Sequence, residues 1–162
     1  MTPVDAPVTR ISLSIAGLAL TEPPELLETL VGSCVAIVLW DETSRRGAMG
    51  HALLPESPAD FDGPKGKYVD TAVVQMIREL SERGSSIGNL AAKLIGGAKM
   101  FGRTNSLDIG RRNVEAATRL LESQGISLRA SHTGGTLGRK VIFSPADGAV
   151  EIWNGPRLLE TL

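Results

Sequence analysis

Short apolar segments bounded by turn residues are the dominant pattern in this chain of 162 residues. Such segments are typical of β-strands when Gly, Pro, Asn, Asp or Ser stand at their ends. The pattern predicts strands over residues 11–20, 26–31, 35–40, 48–54, 90–95, 126–130, 140–143 and 149–153. Two further segments repeat apolar residues at helical spacing, which predicts helices over residues 69–80 and 109–123.

The small number of helices decides the fold class. A doubly wound parallel sheet needs a helix between nearly every pair of strands, whereas strands joined by short turns pair antiparallel. We therefore predict an α+β fold, with a mixed, largely antiparallel β-sheet assembly and two long helices packed on one face. The length is ordinary for one domain with one core, so we expect a single domain over residues 1–162.

Composition narrows the function and the compartment. The net charge is −1, and Lys and Arg are interleaved with Asp and Glu, so we expect no nucleic-acid partner. One cysteine and two histidines exclude an internal disulfide and supply few metal ligands, so we expect no metal and a reducing, cytoplasmic location. The apolar residues 11–20 are too few to span a bilayer and alternate as in a strand, so we expect no direct membrane insertion.

The only cysteine, Cys34, follows Gly32 and Ser33 at the start of a predicted strand. Gly and Ser suit a tight turn, in which free backbone N–H groups can face a developing oxyanion. A nucleophilic cysteine also needs a nearby base, and His51 lies in the next predicted strand. Cys34 and His51 are therefore a candidate catalytic pair. The alternative is that Cys34 is a small buried hydrophobe and His51 a core or surface histidine, which are the commoner roles of such residues.

Strand register decides whether these two side chains can meet. If the strands pair antiparallel and the numbers of facing residues sum to about 85 or 87, Cys34 and His51 share one face, directly or diagonally opposed. A slip of one residue separates them. The sequence alone leaves the register open.

A histidine that acts as a base usually needs a third group to orient its ring. Glu28 and Thr29 precede the turn and can supply a carboxylate or a hydroxyl, although both can equally be ordinary edge or surface residues. His132, the only other imidazole, lies beside a predicted loop and is the alternative base.

The segment Thr29-Leu-Val-Gly-Ser-Cys34 and the segment Gly47-Ala-Met-Gly-His51 resemble the signature of the chemoreceptor glutamine deamidases, the CheD family. Several spaced blocks in the right order carry this resemblance over nearly the whole chain. They cover residues 29–41, 47–55, 67–72, 92–101, 109–116 and 134–143.

The resemblance implies an enzyme that hydrolyses the side-chain amide of selected glutamines on chemoreceptor helices, giving glutamate and ammonia without a cofactor. Cys34 would be the nucleophile and His51 the base. The family pattern Thr-Leu-Gly-Leu-Gly-Ser-Cys places the third catalytic residue, a threonine, six residues before the cysteine; in this chain Glu28 stands there and Thr29 follows. Either residue can therefore be the orienting group. The resemblance also implies a CheC-type phosphatase as a second protein partner.

Two other functions use the same residues. One is a non-catalytic binding module that regulates a receptor or a phosphatase, with Cys34 serving only in packing. The other is a thiol hydrolase that acts on another amide or ester, such as a receptor methyl ester. The presence of Cys34 and His51 in their motifs favours catalysis.

Overall fold

The computed structural model describes residues 7–100 and 108–162. Phe101, the last residue of the family-like block 92–101, lies outside them. The described strands are β1 (Arg10–Leu13), β2 (Leu18–Thr21), β3 (Leu26–Val31), β4 (Val35–Asp41), β5 (Arg46–Ala52), β6 (Leu90–Gly96), β7 (Ser127–Thr133), β8 (Arg139–Phe143), β9 (Val150–Asn154) and β10 (Arg157–Thr161). The two α-helices of the described residues are α1 (Val69–Glu82) and α2 (Ile109–Ser123).

The strands form two sheets of five strands each. The first sheet, sheet A, has the order β1-β3-β8-β9-β10, and the second, sheet B, has the order β2-β5-β4-β6-β7. Within the described residues only β1 with β3 and β6 with β7 pair parallel, and the other neighbours pair antiparallel. The predicted α+β class with mixed sheets is confirmed.

The single strand predicted over residues 11–20 is wrong, because the chain forms two strands there. β1 joins sheet A and β2 joins sheet B, and the tight turn between them is closed by a 2.9 Å hydrogen bond from Gly17 N to Ser14 O. Ala16 in this turn has a φ of 69°, which a strand cannot contain. Alternating apolar residues report a strand conformation but carry no information about which sheet each half joins.

The last strand, β10, is absent from the sequence prediction. It pairs antiparallel with β9 at the edge of sheet A, and its residues are mostly exposed. An exposed edge strand lacks the apolar signal by which the other strands were recognised.

The core lies on both sides of β4. One face of this strand, with Val35, Ile37 and Leu39, packs in a cluster that contains residues of both helices. The opposite face, with Ala36 and Val38, packs in a second cluster together with residues of sheet A. Cys34 belongs to this second cluster, so the candidate nucleophile lies between the two sheets.

No helix of the described residues combines the length and the apolar character needed to cross a membrane.

Candidate active site

The register of β4 against β5 places Cys34 and His51 on one face of sheet B. Ala36 faces His51 and Val35 faces Ala52, so the numbers of facing residues sum to 87. By the same register Cys34 lies diagonally across from His51, at the end of the two strands. Both side chains are buried, with exposed fractions of 6% for Cys34 and 2% for His51.

The turn of Gly32, Ser33 and Cys34, which we call the Cys34 turn, is held by its carbonyl groups. Gly32 O accepts from Ala98 N at 2.9 Å, and Cys34 O accepts from Gly97 N at 2.9 Å. The carbonyl of Ser33 accepts from the side chain of Asn113 at 3.1 Å. Within residues 7–100 and 108–162, the backbone N–H groups of Ser33 and Cys34 donate to no other residue.

Gly96, at the end of β6, makes this arrangement possible. Its φ is +116°, which L side chains rarely adopt, and a Cβ added there would lie 2.3 Å from Cys34 O. Only glycine lets the β6 backbone pass so close to the Cys34 turn. The glycine pair 96–97 therefore lets neighbouring backbones approach closely.

His51 is hydrogen-bonded to Thr29, which reaches it from the other sheet. His51 Nδ1 lies 2.7 Å from Thr29 Oγ1, and Thr29 Oγ1 donates to Leu13 O at 2.8 Å. A hydroxyl has a single hydrogen. Since Thr29 gives that hydrogen to Leu13, Nδ1 of His51 must carry the proton and donate to Thr29.

This assignment leaves the other ring nitrogen free. Nε2 of His51 is buried and has no hydrogen-bond partner within the described residues. In the neutral imidazole with a proton on Nδ1, Nε2 holds a lone pair and can accept a proton. The hydrogen bonds thus produce the tautomer that a general base requires.

Glu28 lies on the opposite face of β3 from Thr29. Its carboxylate accepts a hydrogen bond from Ser12 Oγ at 3.0 Å and lies 3.6 Å from Arg10 and 3.7 Å from Lys140. Successive side chains of a strand point to opposite faces, so the carboxylate faces away from His51 while the hydroxyl of Thr29 faces it. Of the two candidates for the third residue, the structure brings Thr29 to the imidazole and does not bring Glu28.

Burial sets the charge state of the pair. Desolvation raises the pKa of the Cys34 thiol, an effect that its own backbone N–H partly opposes. Desolvation also lowers the pKa of the His51 imidazole. Both shifts favour the uncharged forms of the thiol and the imidazole at neutral pH.

A cleft of about 510 Å³ lies beside Thr29 and His51, at the end of β1. Thr29 and His51 line it, together with residues of the β1–β2 turn and with Glu28, Leu30 and Lys140, whereas Cys34 is not among its lining residues. Leu30 is 71% exposed and lies on the same face of β3 as Glu28. The cleft therefore has lining residues from both faces of β3, with Thr29 on one and Leu30 on the other.

His132 is more distant from the Cys34 turn than His51 is. It lies on β7, facing Ile95, and one strand, β6, lies between β7 and β4, so the two strand axes are about 10 Å apart. Its Nε2 lies 3.8 Å from a carboxylate oxygen of Glu160. Within residues 7–100 and 108–162, no group of three or more His, Cys, Asp and Glu side chains is arranged to hold a metal ion.

Asn113 is the residue of this region that sequence reasoning missed. It lies on the buried face of α2, and its Nδ2 donates to Ser33 O and to Leu53 O. The available signal was a strongly polar amide one turn before Ala117, which belongs to the apolar face of the predicted helix.

Fold and site together define a two-sheet α+β protein in which a buried cysteine shares one face of sheet B with a buried histidine, and a threonine of the other sheet is hydrogen-bonded to that histidine. Residues 53–154 match the family model described as CheD chemotactic sensory transduction. The chain belongs to the CheD family.

Curated relatives extend the similarity over most of the chain. The protein named probable chemoreceptor glutamine deamidase CheD from Methanococcus maripaludis is 36% identical over 149 residues, which cover 91% of this chain and 97% of the relative. The chemoreceptor glutamine deamidase CheD of Thermotoga maritima is 41% identical over 137 residues, covering 84% of this chain and 86% of the relative. The probable deamidase of the same name from Methanococcus vannielii is 38% identical over 146 residues, with coverages of 90% and 95%.

Proposed function

We propose that this protein hydrolyses the side-chain amide of glutamine residues on chemoreceptors, with Cys34 as nucleophile, His51 as base and Thr29 as the group that orients His51. The observation that carries the proposal is the chain of hydrogen bonds from His51 Nδ1 through Thr29 Oγ1 to Leu13 O, which leaves Nε2 free to accept a proton. The names of the curated relatives supply the substrate class.

The reaction begins from the neutral pair. Nε2 of His51 takes the proton of the Cys34 thiol as the sulfur bonds to the carboxamide carbon, and the carbonyl oxygen becomes an oxyanion. The imidazolium then gives its proton to the amide nitrogen as the C–N bond breaks, which releases ammonia and leaves a thioester.

Hydrolysis of the thioester repeats these proton transfers with water. His51 Nε2 removes a proton from water as its oxygen attacks the thioester carbon. Collapse of the second tetrahedral intermediate breaks the C–S bond, and the imidazolium returns its proton to the sulfur. The products are a glutamate side chain and the enzyme in its starting state.

The Cys34 turn provides the oxyanion site in this mechanism. Its carbonyls are occupied by hydrogen bonds, whereas the N–H groups of Ser33 and Cys34 have no other acceptor within the described residues. Backbone donors that are already oriented stabilise an oxyanion without reorganisation during the reaction.

We also propose that a receptor helix docks at the cleft beside His51. The cleft is large enough for several side chains, and the exposed Leu30 offers an apolar contact to one face of an amphipathic helix. Further parts of the proposal are a role in chemotactic adaptation, a cytoplasmic location, and a CheC-type phosphatase as second partner; these rest on family membership. Size-exclusion chromatography of the mixed proteins tests the phosphatase complex.

The decisive experiment incubates the protein with glutamine-bearing receptor fragments and follows their mass, beside a Cys34→Ala variant. We expect the mass gain of amide-to-acid conversion with the intact protein alone. A gain of equal size with Cys34→Ala would refute thiol catalysis. Fragments that carry glutamate methyl esters form a second arm: conversion of the esters without conversion of the amides would favour the esterase, and binding without either conversion would favour the binding module.

A further inference from the structure

Asn113 bridges two backbone segments of the candidate active site. Its side chain is fully buried, with an exposed fraction of 0%. Its Nδ2 donates to Ser33 O at 3.1 Å and to Leu53 O at 3.0 Å. Apart from the hydrogen bonds of the strand ladders, the carbonyls of Ser33 and Leu53 accept from no other backbone group within residues 7–100 and 108–162.

The chemistry of the two acceptors determines how the amide is oriented. Both are carbonyl oxygens, so the NH2 group of Asn113 must face them, because the opposite orientation would set Oδ1 against two other oxygens. Oδ1 is left buried with no partner within the described residues. A leucine would fill nearly the same volume without that unpaired oxygen, but it would leave the two carbonyls without a donor.

The first of these hydrogen bonds orients a catalytic donor. Ser33 C=O and Cys34 N–H belong to one planar trans peptide group and point in opposite directions. Holding the carbonyl toward α2 therefore aims the N–H of Cys34 away from α2. The Cys34 N–H also lowers the pKa of its own thiol, against the larger effect of burial.

The second hydrogen bond fixes the strand that carries the base. Leu53 follows His51 by two residues and lies opposite Cys34 when the register of β4 and β5 is extended by one residue. One amide group thus ties the backbone next to the nucleophile to the backbone next to the base.

The helix is brought to this position by close contact with the β6 end. A Cβ added to Gly110, one turn before Asn113, would lie 2.5 Å from Gly97 O and 2.6 Å from Ala98 O. The same residues, Gly97 and Ala98, donate their N–H groups to the Cys34 turn. The start of α2, the end of β6 and the Cys34 turn therefore form one rigid contact.

We propose that Asn113 is a positioning residue of the active site, whose amide holds the Ser33–Cys34 peptide so that the Cys34 N–H faces the sulfur and the oxyanion formed there. The proposal deepens the proposed function and rests on it for the oxyanion.

The test compares Asn113→Leu and Asn113→Ala with the unaltered protein, and uses Asn154→Ala as matched control. Asn154 is an asparagine whose Nδ2 donates to a single backbone carbonyl, that of Gly138, at 2.9 Å. Three quantities are measured for each protein: kcat and KM for a receptor fragment, the pH midpoint of Cys34 alkylation by iodoacetamide, and the thermal unfolding midpoint.

We expect both Asn113 variants to lose about 10- to 100-fold in kcat at nearly unchanged KM, because a catalytic donor is misdirected while substrate docking is retained. The alkylation midpoint should move to higher pH, since the thiolate loses its N–H neighbour. Asn154→Ala should change neither kcat nor the midpoint. Folded Asn113 variants with unaltered kcat and unaltered midpoint would overturn the proposal, and so would a fall in kcat that matches only the unfolded fraction.

Two other outcomes of these experiments also test the role of Asn113. If the unaltered protein fails to deamidate any fragment, the proposed function fails, but the alkylation midpoint still reports the effect of Asn113 on the Cys34 peptide. If both Asn113 variants fail to fold, NMR of the unaltered protein decides. Side-chain amide protons of Asn113 that exchange as slowly as core amides support the bridge, and exchange as fast as in an exposed asparagine overturns it.

Discussion

Replacing Thr29 by valine tests the hydrogen bonds on which the proposed mechanism depends. Valine has nearly the shape of threonine but no hydroxyl. The change removes the acceptor of His51 Nδ1 at 2.7 Å and the donor to Leu13 O at 2.8 Å, both at a buried residue. Packing around β3 stays filled, so the effect isolates the hydroxyl.

The size of the effect follows from the two lost bonds. Leaving a buried polar group unpaired costs about 1–3 kcal/mol. With the lower value for each of the two groups, we expect the free energy of unfolding to fall by about 2 kcal/mol. The tautomer with the proton on Nδ1 loses a bond worth about 1.4 kcal/mol, which alone is about tenfold in its population. Without this hydrogen bond the imidazole ring of His51 can also rotate away from its reactive orientation. We therefore expect kcat to fall about 10- to 100-fold.

The assay is steady-state deamidation of a receptor fragment, with ammonia release as readout, beside thermal unfolding. Thr29→Ser keeps the hydroxyl and should retain kcat within about threefold. Glu28→Gln should leave kcat unchanged, because its carboxylate lies on the other face of β3, and any effect should appear in KM. A Thr29→Val enzyme with full kcat, or a Glu28→Gln enzyme that loses kcat as Thr29→Val is expected to, would refute the assignment of Thr29 as the orienting residue.

Four other outcomes are expected. The pH profile of kcat/KM should be bell-shaped. The lowered pKa of His51 places the acid limb below about pH 6.5, and the raised pKa of Cys34 places the basic limb above about pH 8.5. An acid limb above about pH 6.5 would contradict a resting state in which both groups are neutral. Leu30→Asp should raise KM about tenfold at constant kcat if a receptor helix covers this exposed leucine, as peptide titrations would show. Gly96→Ala should lower both the thermal unfolding midpoint and kcat, because the Cβ of the alanine would lie 2.3 Å from Cys34 O. Calorimetry measures the unfolding midpoint. His132→Gln should keep kcat within about twofold, and a loss comparable to that of His51→Gln would make His132 the base.

The fold class was accessible from the sequence because local patterns determine it. The short apolar segments and the two periodic ones correspond to strands and helices of the structure. The splitting of residues 11–20 between two sheets was not accessible, since the alternation of apolar residues is the same in both halves and sheet membership depends on distant partners. β10 could not be predicted for a different reason. It is an exposed edge strand that is defined by its hydrogen bonds to β9 and lacks a buried face.

The sequence limits the candidate site residues to a few but does not identify all of them. Strand alternation already requires Glu28 and Thr29 to point to opposite faces of β3, so only one of them can meet His51. Which one does so depends on the stacking of the two sheets, a contact between residues on different sheets that periodicity cannot report. Asn113 belongs to the same category, since its partners Ser33 and Leu53 are 80 and 60 residues away in the chain.

The burial of the pair also explains how the proposed enzyme can be selective. A thiolate–imidazolium pair formed between the sheets would give up solvation of both charges, so the neutral thiol is the stable resting form. The free energy of charge separation falls only when a carbonyl group binds the N–H donors of the Cys34 turn. The negative charge then moves from the sulfur to an oxygen that accepts hydrogen bonds from two backbone N–H groups. Under this mechanism, a reagent that does not reach those donors meets an unreactive thiol. Selectivity for the carboxamide and protection of Cys34 from adventitious chemistry then have the same physical cause.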